Sequence, residues 1–256
     1  MNDNDRKIIN SFYENFKNSP KKLKIVCDWD EVVQATEPYV GWKALKELSH
    51  LFKGGFHKTF EEQFKDFWNT ELVDYFHYGS KIKEVMFHGK DHLNKYLEIK
   101  NSPNFYQQAP FLTIAEDLVK LIKEDKVEQI IFLVHSKVLD VKGEQQEKVI
   151  RDERIGLIFK ETFGKFLNCS LRRINYVEDD GGGVEVQYKK ADWIKSLASD
   201  FDIVIDDNPK ICKSLVKEFA NKVIAPYYPA TENQHDEDVL LVKNEVSGLK
   251  REDFKK

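Results

Sequence analysis

The stretch KKLKIVCDWDEVVQ, residues 21–34, runs a short apolar strand straight into two aspartates spaced one residue apart. Leu23, Ile25, Val26 and Cys27 read as a buried strand, expected over about 22–27, and such a strand ordinarily ends in a turn residue such as glycine or asparagine. Here it ends in Asp28 and Asp30. Like charges at the mouth of an apolar strand repel each other and lose hydration, so they require a cation or a proton-transfer role. Trp29 should face away from both, because successive strand residues point to opposite sides, and it is assigned to packing.

On the amino side of this stretch, Ile8, Ile9, Phe12 and Phe16 recur at helical spacing, which predicts a helix over 5–20 ended by Pro20. On the carboxyl side, 36 to about 100 is helical and strongly aromatic. One helix opens at Thr36 with Pro38 in its first turn, and another at Thr59 with Glu62 at capping-box spacing. Phe60, Phe64, Phe67 and Trp68 on the latter read as the core of a helical module.

From 109 onward helices and strands alternate. A helix at 112–124 carries a Thr113/Glu116 capping-box spacing and precedes a strand at 129–136 that ends in Ser136. A long helix over 146–167 follows, then a strand near 171–177 and a helix at 191–199. The strand FDIVIDD ends in Asp206 and Asp207, and a helix from 208, a strand at 222–229 and a last strand near 239–244 complete the series. Strands separated by helices of this length predict an α/β fold, a Rossmann-like parallel sheet with helices on both faces.

Composition narrows the function classes. Apolar residues at 41% and aromatics at 12% exclude wholesale disorder. A net charge of −4 from 40 basic and 44 acidic residues is too balanced for a general nucleic-acid or membrane-surface binder, so neither partner is expected. The three cysteines, Cys27, Cys169 and Cys212, form no C-x-x-C pair and indicate neither a disulfide framework nor a zinc site. The first twenty residues are polar, and no segment approaches the roughly 18 apolar residues of a membrane span, so a soluble cytoplasmic protein is expected.

In an open parallel sheet, ligands bind beyond the carboxyl ends of the strands. If these strands are parallel, Asp28, Asp30, Ser136, Asp206 and Asp207 converge on one edge. Oxygen-only ligation by several carboxylates favours a hard cation such as Mg2+, and a carboxylate nucleophile can accept a phosphoryl group while a neighbouring carboxyl moves protons.

At these residues the chain resembles the haloacid dehalogenase superfamily. KIVCDWDEV is similar to its first motif, IIFLVHS to its second, FDIVIDDNP to its acidic fourth, and YKKADWI places Lys189 and Lys190 where the family has its lysine. The resemblance implies Asp28 as nucleophile and Mg2+ ligand, and Asp30 as general acid/base that also gives its backbone carbonyl to the metal. It further implies Ser136 as a hydrogen-bond donor to phosphoryl oxygens, Lys190 (or Lys189) as the compensating charge, and Asp206 and Asp207 as metal ligands. An aspartate two positions after the nucleophile resembles the phosphatase branch. The resemblance divides the chain into a core of 1–35 and 107–256 and a helical cap of 36–106 inserted between the first two motifs. It implies a small phosphorylated substrate, and the layout is loosely similar to the deoxyribonucleotidase group, so a nucleoside monophosphate or another small phosphate ester is expected.

Other features have plainer readings. His88 and His92 stand at i, i+4 without a third ligand in sequence and read as a solvated helix face. The glycine cluster at 178–183 lacks the lysine of a P-loop and reads as a loop, and Arg172 and Arg173 as surface residues. Two alternatives to a small-molecule phosphatase stand beside it: a phosphatase of nucleic-acid 3′ ends, and a non-catalytic binding or regulatory protein that keeps the site.

Overall fold

The computed structural model describes residues 8–36, 39–40, 43, 47, 94–95, 98–99, 102, 104–141, 144–146, 150–177, 184–197, 200–219, 223–228 and 234–255. Most of 36–106, including the helix expected from Thr59 and the pair His88 and His92, lies outside the described residues, as does the glycine cluster at 178–183.

In chain order the elements are β1 (Ile8–Ile9), α1 (Phe12–Phe16), β2 (Leu23–Asp28), α2 (Phe105–Gln108), α3 (Thr113–Lys123), β3 (Val127–Val141) and β4 (Glu144–Gln146). They continue with α4 (Ile150–Glu161), β5 (Cys169–Val177), α5 (Val184–Ser196), β6 (Ile203–Ile205), α6 (Pro209–Leu215), β7 (Val223–Tyr227) and β8 (Leu240–Lys243). Among the described residues seven strands form a parallel sheet in the order β1, β8, β7, β6, β2, β3, β5, and β4 pairs antiparallel with the far end of β3. This is the expected Rossmann-like α/β arrangement.

Apolar residues on both sides of each strand explain why the strands are nearly continuous in hydrophobicity. Ile25, Cys27, Phe132, Val134, Ile203 and Ile205 join one core with Phe12, Leu118 and Phe163. Their chain neighbours Val26, Ile131, Leu133 and Val204 join a second core with Ala191, Ile194 and Leu215 from α5 and α6. Burying both faces is what a parallel sheet requires. After β2 the chain passes to β3 and β5 on one side, then crosses back to β6 on the other. The carboxyl ends of β2 and β6 therefore flank a topological switch point, where an open α/β sheet leaves a crevice.

Several expected boundaries move. Ile8 and Ile9 are not helical: they pair in parallel with Leu241 and Val242, and helix α1 starts only after Ser11. Ser11 Oγ caps that helix by accepting from Glu14 N, and Asp117 accepts from both Ser11 Oγ and Tyr13 N. Strand β3 does not end at Ser136 but continues to Val141, and Ser136 lies within it, opposite Asn175. Of the long helix expected over 146–167, the described residues show α4: Glu144–Gln146 are strand, and the buried Thr162 donates to the Ile158 carbonyl at 2.6 Å where the helix stops. Helix α5 begins at Val184, earlier than expected. The Thr113/Glu116 capping box does not form, since Thr113 is already helical and the cap is supplied by Asn244 Oδ1, which accepts from Ile114 N at 3.0 Å. Among the described residues no helix is long and apolar enough to cross a membrane.

Candidate functional site

Strand β2 delivers Asp28 as its last residue, beside Leu133 of β3. On the other side, β6 ends at Ile205 and releases Asp206 and Asp207 into the loop before α6. That loop is tightly built. Asp206 N donates to Ile224 O, Asp206 Oδ1 accepts from Asn208 N at 3.0 Å, and Asn208 Oδ1 caps α6 by accepting from Lys210 N and Ile211 N. Pro209 occupies the first helical turn, where its missing N–H costs nothing.

The carboxylates of Asp28, Asp206 and Asp207 offer oxygens that all lie within 4.8 Å of one another. Lys190 rises from the middle of α5, 1% exposed, and its Nζ stands 2.9 Å from Asp28 Oδ1 and 2.6 Å from Asp206 Oδ2. The Lys190 ammonium thus bridges the carboxylates that follow β2 and β6. Asp30 stands outside the trio, in the turn after β2, bridged to Gln34. Trp29 is fully buried, edge-on to Phe132 and Phe163, with Nε1 donating to Gln34 Oε1. Packing is thus its role, as the alternation argument requires.

The electrostatics of the trio follow from burial. Burial alone would lower the Lys190 ammonium, but Asp206 and Asp28 outweigh it and hold it above the ordinary lysine value. Burial pushes Asp206 up to about 6, with Lys190 opposing. Asp207 is pushed well above the usual carboxylate range by burial and then by Asp28 and Glu31. Burial is the main reason that Asp206 and Asp207 hold protons more tightly than usual, and the negative charge that three carboxylates beside one ammonium leave uncompensated adds to it. An all-oxygen set carrying that excess suits a hard divalent cation. Two thiols lie just beneath: Cys27 donates to the Asp28 carbonyl and Cys212 to the Asp206 carbonyl, each at 3.1 Å. Burial raises both thiols well above their usual range, so they remain donors.

The turn after β2 folds back on itself. Val33 N donates to Trp29 O, Glu31 N donates to Gln34 O, and Glu31 adopts a left-handed φ of 59°. The chain then enters and leaves the 36–106 segment through adjacent antiparallel stretches, with Ala35 N donating to Pro110 O and Leu112 N to Val33 O. Residues 245–247 flank the outgoing stretch, through Thr113 N to Glu245 O and Ser247 N to Phe111 O.

Sequence reasoning missed Glu31, Tyr228 and Asn244, which meet at this turn. Tyr228 and Asn244 each follow directly on a parallel strand, the position already used to choose the aspartates, but neither carries the charge that singled those out. A cavity of about 850 Å³ opens elsewhere, lined by Lys22, Asp125 and Asn168 near the start of β3. Lys22 there is already paired with Asp125, and the carboxylate trio is not part of that lining.

No family profile matches the chain, and no curated protein sequence does either. Among solved structures, a protein named as a haloacid dehalogenase-like hydrolase from Burkholderia xenovorans LB400 is 11% identical over 87% of this chain and 95% of its own, with a TM-score of 0.42. A hydrolase from Streptococcus pneumoniae TIGR4 is 11% identical over 80% and 91%, at 0.44. A protein named as a phosphatase from Clostridium difficile is 12% identical over 88% and 96%, at 0.42. Likeness at this level is too slight to carry an argument, and the site is read on its own geometry.

Proposed function

We propose that the protein is a Mg2+-dependent phosphomonoesterase that works through an aspartyl-phosphate on Asp28, on a nucleoside monophosphate or another small phosphate ester. The observation that carries the reading is Lys190 bridging Asp28 and Asp206 within a three-carboxylate group at the switch point of the sheet. The motifs at these residues, which resemble those of the haloacid dehalogenase superfamily, support it.

In this reading Asp28, Asp206 and Asp207 hold the metal, with the Asp30 carbonyl. When bound, Mg2+ supplies positive charge against the phosphoryl oxygens and the carboxylates. An Asp28 oxygen attacks phosphorus as the ester P–O bond breaks, and Asp30 gives its proton to the leaving alcohol oxygen. Asp30, now a carboxylate, takes a proton from water as that water attacks the phosphorus of the aspartyl-phosphate, releasing inorganic phosphate and restoring Asp28. Lys190 offsets the negative charge that Asp28 and the phosphoryl group bring together, and Ser136 is assigned a hydrogen bond to the phosphoryl oxygens. Residues 36–106 are assigned as the cap, and the paired stretches at 33–35 and 110–112 that lead into and out of them are consistent with an insertion.

Asp28→Asn should abolish phosphate release while leaving the fold intact, because an amide cannot serve as the nucleophile. The check is release from nucleotides, sugar phosphates and 3′-phosphorylated oligonucleotides, with Mg2+ and with chelator. Substantial activity in Asp28→Asn, or activity indifferent to chelator, would reject the mechanism.

A further inference from the structure

Beyond the three carboxylates and their lysine, Asn244, the residue after β8, is 2% exposed and joins segments far apart in the chain. Its amide nitrogen faces three acceptors: Glu31 O at 3.1 Å, Val32 O at 3.2 Å and Tyr228 Oη at 3.1 Å. Its amide oxygen accepts from Ile114 N at 3.0 Å and lies 3.4 Å from Thr113 Oγ1. The Tyr228 hydroxyl in turn donates to Glu31 O. One carbonyl thus receives two donors, from the buried Asn244 and the half-buried Tyr228, and it belongs to the residue held at φ 59°, a left-handed conformation that is unfavourable for a non-glycine residue. Glu31 is also tied through its side chain, whose Oε1 accepts from Thr36 Oγ1 at 2.7 Å.

We infer that Asn244, with Tyr228, is a positioning residue for Asp30: it locks the strained Glu31 turn and so fixes where the preceding residue places its carboxyl group. The inference rests on the phosphatase reading for the role of Asp30 but not for the clamp itself. Removing both donors takes two hydrogen bonds from the partly buried Glu31 carbonyl, which favours rearrangement of the segment. Asp28 belongs to β2 and keeps its ladder pairing with β3 whatever the turn does. The nucleophile and the acid are therefore held by different devices, and they can be uncoupled.

That uncoupling sets the test. Asn244→Asp keeps the oxygen that caps α3 and removes the amide donor to the turn; Asn244→Ala removes both. Ser11→Ala, which loses the cap of the remote helix α1, serves as a control for stability loss alone. Each is assayed with an alkyl phosphate, whose leaving group needs protonation, and with p-nitrophenyl phosphate, whose leaving group does not. The Asn244 variants should lose about tenfold or more in kcat on the alkyl ester and less than about threefold on the nitrophenyl ester, as expected for impaired general-acid catalysis. Ser11→Ala should leave the ratio of the two rates unchanged. Hydrogen exchange provides a readout without turnover, with amides 29–36 exchanging faster in the Asn244 variants and those of β2 unchanged. Equal losses on both esters, or unaltered exchange over 29–36, overturn the inference. A wild type that hydrolyses neither ester, with exchange altered as described, upholds the clamp and overturns the phosphatase reading instead.

Discussion

Lys190 lies on the second core face beside Ala191 and Ile194, in a setting where an ammonium group is costly unless it is paired. Asp28 and Asp206 are its only ion-pair partners among the described residues, and they come from strands on either side of the switch point. Removing one partner of a buried pair strands the others, at about 3–5 kcal/mol. Lys190→Met should therefore be destabilised by that order in chelator, should recover part of the loss in Mg2+, and should release little phosphate. Urea denaturation with and without Mg2+ checks this, and near-wild-type stability in chelator would contradict it. At this scale the sequence was legible where chemistry and periodicity coincide: D-x-D and DD at strand ends announce themselves because an apolar run stops in charge. Asn244 does not announce itself. Its amide nitrogen reaches residues 212 and 213 positions away in the chain, and no local pattern marks an asparagine after a strand as the cap of a distant turn.

At the scale of elements, the acidic loop after β6 is held as much by α6 as by the strand. Asn208 donates its backbone N–H to Asp206 Oδ1 while its side chain caps the helix, so one residue orients a carboxylate and starts a helix together. Asn208→Ala should lower stability by about 1 kcal/mol, the ordinary value of such a cap. It should also weaken Mg2+ binding, because the segment carrying Asp206 and Asp207 loses its anchor. Calorimetric titration would read the second effect, and unchanged affinity would separate the cap from the metal site. The elements that escaped sequence reading share a cause. Ile8 and Ile9 fit a helical stripe as well as an edge strand, and only β8, arriving more than two hundred residues later, decides between them. Helix α3 carries the spacing of a capping box, yet the cap it uses comes from Asn244, 130 positions away in the chain.

For the whole molecule, the carboxylate trio couples protons, metal and folding. Asp206 moves from an ordinary 3.8 to about 6 and Asp207 moves up too, so the metal-free folded protein holds protons that the unfolded chain releases. A carboxyl group whose folded value is raised contributes stability that is fully present below its unfolded value and is lost as pH rises through the folded one. In chelator, the stability of the wild type relative to Asp206→Asn should therefore fall as pH rises from about 4 to about 6, as that proton leaves a buried site. Mg2+ takes the place of those protons, since its ligands must be ionised. Binding at a pH near 6 should then release protons, and titrations in buffers of different ionisation enthalpy should give heats that differ in proportion. Affinity should rise with pH as Asp206 ionises through about 6. Buffer-independent heats near pH 6, or affinity flat from pH 5 to 8, would mean that the metal does not bind where Asp206 and Asp207 meet, and the assignment of the trio as its seat would fall with them.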